Sequence, residues 1–213
     1  MPSSGQIEVA SFGIFIVSVI LHEISHGAVA LLRGDDTAKR AGRLTLNPIA
    51  HLDPIGSVLV PGVLLLSHTG VVFGWARPVP VNVSRMRSPR NDAVLTALAG
   101  PATNVVLVVV SLVVIRAVHP EVNGWACLLL IYAGLINLWL GIFNMLPVPP
   151  LDGSSLVERL VPDRRWREYL VLRQYSMPAV FLLVIIGYES GATSHAFNWL
   201  YVHWVQLAGY HVA

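Results

Sequence analysis

The sequence has little charge and almost no cysteine, and each shortage excludes a class of protein. Only 12% of its 213 residues are charged, well below the roughly 25% that is usual in soluble domains. A formal net charge of +2 is too small to indicate binding to nucleic acid. The single cysteine, Cys127, excludes an intrachain disulfide and a multi-cysteine zinc site. Because 54% of the residues are hydrophobic, the composition predicts an integral membrane protein.

The hydrophobic residues form runs that are long enough to cross a bilayer. The first run, residues 7–32, is predicted to be a retained helix rather than a cleaved signal peptide, because no basic segment precedes it and it is too long. The other strong runs lie at residues 55–73, 93–118, 125–146 and 169–188. A weaker, aromatic-rich run at 197–207 predicts an interfacial or terminal helix. We expect an all-α bundle of about four to six membrane segments that forms one domain over residues 1–213.

The basic residues indicate the topology of this bundle. Arginine and lysine concentrate in three loops, and the positive-inside rule places all three on the cytoplasmic side. These loops are residues 33–53, 74–92 and 148–168. The run 55–73 lies between the first two loops and should therefore not cross the membrane, and Pro61-Gly62 near its middle favours a re-entrant segment. A plain spanning helix is the alternative. The amino terminus is predicted to lie outside.

Two histidines and a glutamate lie inside the first apolar run, in "VILHEISHGAVALL". Such groups cost free energy at membrane depth unless they are paired or bind a metal. His22 and His26 are about one helical turn apart, so both imidazoles leave the same face and can bind one zinc ion. Glu23 lies on the flank of that face, where it can reach a water without being a ligand. This is the zinc-binding H-E-x-x-H pattern.

A third ligand is expected in "FNMLPVPPLDG", because a catalytic zinc site uses three protein ligands and one open position for water. The prolines of this stretch end the preceding helix, and the chain must then be extended at membrane depth, which is tolerated where it lines a cavity. Asp152 and Gly153 follow as a turn that can direct the carboxylate back towards the histidines. The alternative is that Asp152 caps the next helix, which begins near Ser154.

Together, "HEISHG" and "FNMLPVPPLDG" resemble the site-2 protease family of intramembrane zinc metalloproteases. The resemblance covers roughly residues 13–160, most of the chain. It includes "AGPATN" at 99–104, which matches the Gly-x-x-x-Asn pattern of the family. "NPIAHLDPIG" at 47–56 and "GWARPVPVN" at 74–82 resemble the compact prokaryotic members, and the sequence has neither the PDZ insertion nor the CBS domain of larger members.

The resemblance implies a function and assigns residues to it. His22, His26 and Asp152 would hold one zinc ion per chain, and Glu23 would be the general base of peptide-bond hydrolysis. The substrate would be a single-pass membrane protein, cleaved in or near its transmembrane segment in regulated intramembrane proteolysis. The enzyme would lie in the lipid bilayer of a prokaryotic plasma membrane, with its active site toward the cytoplasm.

Three more polar residues are candidates for the same site. Asn104 is predicted to donate its side-chain amide to the oxyanion of the reaction, and an interhelical hydrogen bond near Gly100 is the alternative. His51 is a candidate contact of the metal ligands, or else makes a hydrogen bond within its own loop. Asn144 either orients Asp152 or caps the end of its own helix.

The segment "GWARPVPVN" alternates valine with proline or asparagine, and prolines in a strand belong at a sheet edge. We expect a short edge strand or hairpin at the cytoplasmic rim that pairs with an extended substrate. The predicted substrate-binding residues are Arg77, Pro78, Val79, Pro80, Val81 and Asn82. An ordinary structured loop is the alternative.

A different function could use the same ligands. A metal-binding or zinc-transporting membrane protein without proteolytic activity would also bury histidine and aspartate. It would not need Glu23 beside His22, and it would not need a proline-broken segment before Asp152. The sequence therefore favours the protease over the transporter.

Overall fold

The computed structural model describes residues 3–66, 75–121 and 124–210. Nine α-helices lie within these ranges: α1 (Ser4–Leu32), α2 (Thr37–Arg40), α3 (Val60–Leu66), α4 (Pro89–Val118), α5 (Trp125–Asn144), α6 (Ser154–Leu160), α7 (Trp166–Gln174), α8 (Ser176–Glu189) and α9 (Ala192–Leu207). Short 3-10 turns occupy Pro48–His51, Val83–Arg85 and Asp163–Arg165, and a π-helical turn occupies Pro54–Leu59. The described residues contain no β-strand.

Three of the helices are long and apolar enough to cross a membrane. They are α1, α4 and α5, with spans at Gly5–Leu32, Pro89–Val118 and Trp125–Asn144. The segment Asp163–Gln174 and α8 together could form a fourth span that is bent by 49°. The described part of the chain thus contains three membrane-capable helices, or four with the bent pair, which confirms a mainly helical membrane protein.

The three spanning helices pack against one another, and α9 packs on α5. Gly134 on α5 makes the contact with α9 possible, because a Cβ atom there would lie 1.9 Å from Cζ2 of Trp204. The indole Nε1–H of Trp204 donates to the Ile131 carbonyl at 2.9 Å. The weak run at 197–207 therefore belongs to the terminal helix, and part of it is buried in the core of the bundle.

The end of α9 lies beside the connection between α4 and α5. The hydroxyl of Tyr210 donates to the Pro120 carbonyl at 2.8 Å. Arg116, in the last turn of α4, donates to the Leu207 carbonyl at 2.7 Å. These contacts place the carboxyl-terminal end of α9 at the end of the bundle where α4 stops and α5 begins.

The predicted re-entrant run begins with a capped turn. The Asp53 carboxylate accepts from the backbone N–H groups of Ile55 and Gly56, and α3 then adds only 7 residues. The described helical stretch, a π-helical turn of 6 residues followed by the 7 residues of α3, is at most roughly 20 Å long, which is less than a bilayer core of about 30 Å. Trp75, just after the run, lies next to the beginning of the run, because its N–H donates to the Gly56 carbonyl at 3.1 Å. Residues 67–74 lie outside the described residues, so re-entry stays a prediction.

Residues 75–82 form no regular secondary structure and have no strand partner among the described residues, so the expected strand or hairpin is not confirmed. Pro78 and Pro80 have no N–H to donate. The Arg77 N–H donates to the His51 carbonyl at 2.9 Å, and the buried guanidinium of Arg43 donates to the carbonyls of Arg77 and Pro78. Because these backbone groups bond to a loop and to a side chain, they are not available to a neighbouring strand.

Candidate metal centre

The two histidines of the H-E-x-x-H pattern lie on one face of α1, inside its span. The rings of His22 and His26 are perpendicular, with centroids 4.7 Å apart. Their side chains are 8% and 12% exposed. The helical spacing therefore produces the convergent pair that the sequence predicts.

Asp152 reaches both rings from the segment after α5. Its Oδ2 lies 3.0 Å from Nε2 of His22, and its Oδ1 lies 3.4 Å from Nε2 of His26. One ligand atom from each of the three residues lies within 4.8 Å of the other two. The two parts of the sequence that predict a metal site thus meet in space.

A tight fold-back of the chain places Asp152. The Gly153 N–H donates to the Asn144 carbonyl at 2.8 Å, and a Cβ atom on Gly153 would lie only 2.2 Å from the Met145 carbonyl oxygen. Only glycine permits this approach. The helix α6 has Gly153 at its N-cap and no side-chain cap, so the structure does not show the capping alternative for Asp152.

Hydrogen bonds to the outer ring nitrogens orient both histidines. Nδ1–H of His26 donates to the Thr96 carbonyl at 2.7 Å. Nδ1–H of His22 donates to Oδ1 of Asn104 at 2.6 Å. Because both acceptors are oxygens that cannot donate, each neutral ring carries its proton on Nδ1 and directs the lone pair of Nε2 towards Asp152.

This arrangement fits a divalent cation. Oδ2 of Asp152 is buried and has no hydrogen-bond partner among the described residues. Its nearest ring nitrogen is Nε2 of His22, and Nε2 of His26 faces Oδ1 of the same carboxylate. A cation between these atoms would satisfy all three groups. Gly100 leaves the space open, because a Cβ atom there would lie 2.5 Å from both Nε2 atoms. Two imidazoles and one carboxylate are also a donor set that zinc uses.

Glu23 lies outside this ligand cluster. Its Oε2 accepts from the backbone N–H of Val79 at 3.0 Å, and the residue is half-buried. The valine side chain is 8% exposed and lies over Gly27, where a Cβ atom would come within 3.0 Å of it. Sequence reasoning placed Val79 against a substrate and did not find its contact with Glu23.

The predicted substrate segment is also attached at its far end. The Asp35 carboxylate accepts from the N–H of Asn82 at 2.5 Å and from the N–H of Thr37 at 3.0 Å. Burial alone would raise the pKa of Asp35, but the hydrogen bonds from Thr37 and Asn82 outweigh burial and lower it. Residues 79–82 are therefore held by two carboxylates that belong to α1 and its C-terminal loop.

Asn104 is fully buried, and both ends of its amide are engaged. Its Oδ1 accepts from His22, and its Nδ2 donates to Oδ1 of Asn137 at 2.7 Å. Asn137 in turn donates to Oγ of Ser18 at 2.9 Å. Sequence reasoning missed Asn137 and Ser18. The available signal was a polar side chain inside an apolar membrane run.

The two other candidates bond locally. Nε2–H of His51 donates to the Thr45 carbonyl at 2.9 Å, which is a hydrogen bond within its loop. Nδ2–H of Asn144 donates to the Leu140 carbonyl at 3.0 Å, within α5. Only the backbone carbonyl of Asn144 assists Asp152, through Gly153. A contact of either side chain with the metal ligands stays a prediction.

Comparison with known proteins places part of the chain in a peptidase family model. The model of Peptidase family M50 matches residues 119–186. "Putative zinc metalloprotease YwhC" of Bacillus subtilis is 44% identical over 156 residues, which cover 69% of this chain and 67% of that protein. "Putative zinc metalloprotease Rip2" of Mycolicibacterium smegmatis is 29% identical over 171 residues, which cover 80% of this chain.

The relatives are longer than the matched region. The match spans 64% of the Mycolicibacterium protein. It spans 34% of "Zinc metalloprotease MJ0392" of Methanocaldococcus jannaschii, which is 27% identical over 153 residues. No solved structure matches the chain.

Proposed function

The chain belongs to peptidase family M50, and from this premise we propose that it is an intramembrane zinc metalloprotease that hydrolyses peptide bonds in or near transmembrane segments of membrane proteins. One observation carries the proposal. His22, His26 and Asp152 converge within 4.8 Å inside a bundle of membrane-capable helices, and Glu23 follows the first of them on the same helix. We assign the three converging residues to one zinc ion per chain.

The metal and Glu23 have separate tasks. Zinc, when bound, polarises the scissile carbonyl and lowers the pKa of a water to about 7. Glu23 accepts a proton from the attacking water and later gives it to the nitrogen of the leaving amine, so that the peptide becomes a carboxylic acid and an amine, and the acid's proton then passes to the amine to give a carboxylate and an ammonium. The Val79 N–H holds Oε2 of Glu23, which leaves Oε1 for the proton.

A direct role of Asn104 at the oxyanion remains a proposal. Its Nδ2–H, the donor that this role requires, is bonded to Asn137. Asn104 would have to release Asn137 to serve the oxyanion. Its present contacts instead support a role in orienting His22.

The proposed substrate is a single-pass membrane protein that binds in extended form along residues 77–82. The bond from Val79 to Glu23 supports this, because a chain lying on that segment would pass beside the base. Pro78 and Pro80 lack an N–H, and the carbonyls of Arg77 and Pro78 accept from Arg43. Pairing would therefore use substrate N–H groups and the carbonyls of residues 79–81. The basic loops support a cytoplasmic position of the site in a prokaryotic plasma membrane.

Removal of zinc tests the function. The purified protein is reconstituted in lipid vesicles with single-pass substrates, stripped with a chelator and supplied again with one equivalent of zinc. We expect cleavage to fall to background and then to recover. Zinc flux is measured in the same vesicles. Flux without cleavage would contradict the protease and favour a zinc transporter.

The contact between Val79 and Glu23 gives a second prediction. Val79→Pro removes the N–H, and a hydrogen bond to a charged group contributes about 1.5–3 kcal/mol. We expect kcat to fall by roughly 10-fold to 100-fold with zinc content unchanged. Val79→Ala keeps the N–H and is the matched control, because it changes only the side-chain contact. An equal loss of kcat in Val79→Ala, or none in Val79→Pro, would exclude this role.

A further inference from the structure

We propose that Asn137 on α5 is a positioning residue for the metal centre. It fixes the direction of the Asn104 amide and, through that amide, decides which nitrogen of His22 carries the proton. The inference rests on the proposed function only in taking His22 as a metal ligand, and it adds a residue that touches neither metal nor substrate.

The residues concerned form a continuous buried chain across three helices, here called the amide relay: Ser18 and His22 on α1, Asn104 on α4 and Asn137 on α5. The hydrogen bonds along it measure 2.9 Å, 2.7 Å and 2.6 Å from Ser18 to His22. All four residues are buried, and Asn104 is fully buried. Polar groups at this depth are retained where they have a task, because an apolar side chain would fill the same space at lower cost.

The direction of the relay is fixed at its α5 end. Asn137 lies 2.8 Å from the carbonyl of Ala133, and a carbonyl only accepts, so the atom facing it is Nδ2. The Oδ1 of Asn137 then faces Asn104 and must receive its Nδ2–H. The Oδ1 of Asn104 is left for His22, whose Nδ1 must be the donor. Nε2 of His22 therefore keeps its lone pair towards Asp152.

Loss of the acceptor at position 137 would remove this constraint. The Asn104 amide could then turn over and direct Nδ2–H at Nδ1 of His22. The ring would have to accept at Nδ1 and carry its proton on Nε2, where it opposes metal binding. His26 would be unaffected, because the Thr96 carbonyl holds it separately. One ligand of three would be weakened.

The test measures zinc affinity without substrate, by competition with a coloured chelator, on the full-length protein in detergent. Removing a partner that orients a metal ligand usually costs 10-fold to 100-fold in affinity. We expect a loss of about this size for Asn137→Leu. Asn137→Asp should keep an affinity near that of the wild type, because a buried protonated carboxyl can accept from Asn104 and donate to Ala133. The matched control is Ser111→Ala, which removes a buried polar group of α4 that lies outside the amide relay.

A rescue separates positioning from packing. In the double variant Asn104→Asp/Asn137→Leu, the carboxylate accepts from His22 in either orientation, so zinc affinity should recover relative to Asn137→Leu alone. If Asn137→Leu does not fold, Asn137→Ala is compared in the same way with and without Asn104→Asp. Unchanged zinc affinity in folded Asn137→Leu or Asn137→Ala, or a loss that Asn104→Asp does not reverse, would overturn the proposal. If the zinc affinities follow this pattern but the protein cleaves no substrate, the proposed protease function would be refuted and the positioning role of Asn137 would remain.

Discussion

Glu23→Gln is expected to lower the rate of substrate cleavage by about 10²-fold to 10⁴-fold while zinc remains bound, which is the range for loss of a positioned general base. Glutamine keeps the size of the side chain, and its carbonyl oxygen can still accept from the Val79 N–H. The segment 75–82 should therefore stay in place, and only the capacity to take a proton is removed.

The measurement pairs turnover of a reconstituted membrane substrate with zinc content by elemental analysis. Glu8→Gln, an exposed change of the same type on the same helix, should match the wild type in both. Turnover at the wild-type rate in Glu23→Gln would remove this residue from the mechanism. Loss of zinc in this variant would instead make Glu23 a ligand. Zinc flux that persists in the absence of cleavage would favour the transporter.

The convergence of the three proposed metal ligands could be predicted because the placement of each depends on local geometry. His22 and His26 share a face through the helical repeat alone, and no tertiary contact is needed to bring them together. Asp152 follows a proline-rich stretch that must end α5, and Gly153 permits the fold-back that directs the carboxylate inward. The apolar runs likewise predict α1, α4 and α5, because a bilayer requires both length and hydrophobicity of each spanning helix.

The remaining features depend on contacts between distant parts of the chain, which local patterns do not encode. The alternation in "PVPVN" predicted an extended segment, but whether its N–H groups face a strand or a carboxylate depends on the position of Glu23, 56 residues away. The pairing of Gly134 with Trp204 joins residues that are even farther apart in sequence. Asn137 is conspicuous in an apolar run, yet only the packing of α1, α4 and α5 reveals that its partner is Asn104.

Gly100 combines both kinds of information, since the sequence places it in the Gly-x-x-x-Asn pattern and the structure shows what it contacts. A Cβ atom there would lie 2.4 Å from Cε1 of His22 and 2.5 Å from Nε2 of His26. The rings cannot turn aside, because Asn104 and Thr96, which hold their Nδ1 atoms, belong to the same helix as Gly100. Any shift of α4 that relieves the clash moves these acceptors as well.

We therefore expect Gly100→Ala to lower zinc affinity by about 10²-fold or more. This loss should exceed the loss from removing a single residue that orients one ligand, because the substitution displaces both imidazoles together. Gly141→Ala on α5 is the matched control, since its nearest neighbour would be the Asn104 Cβ atom at an ordinary 3.6 Å. Gly13→Ala on α1 meets nothing within 4 Å. Zinc competition and thermal unfolding are measured on all three. If Gly100→Ala bound zinc as tightly as Gly141→Ala, α4 would not lie against the metal-binding nitrogens, and the assignment of His22 and His26 as paired ligands would fail.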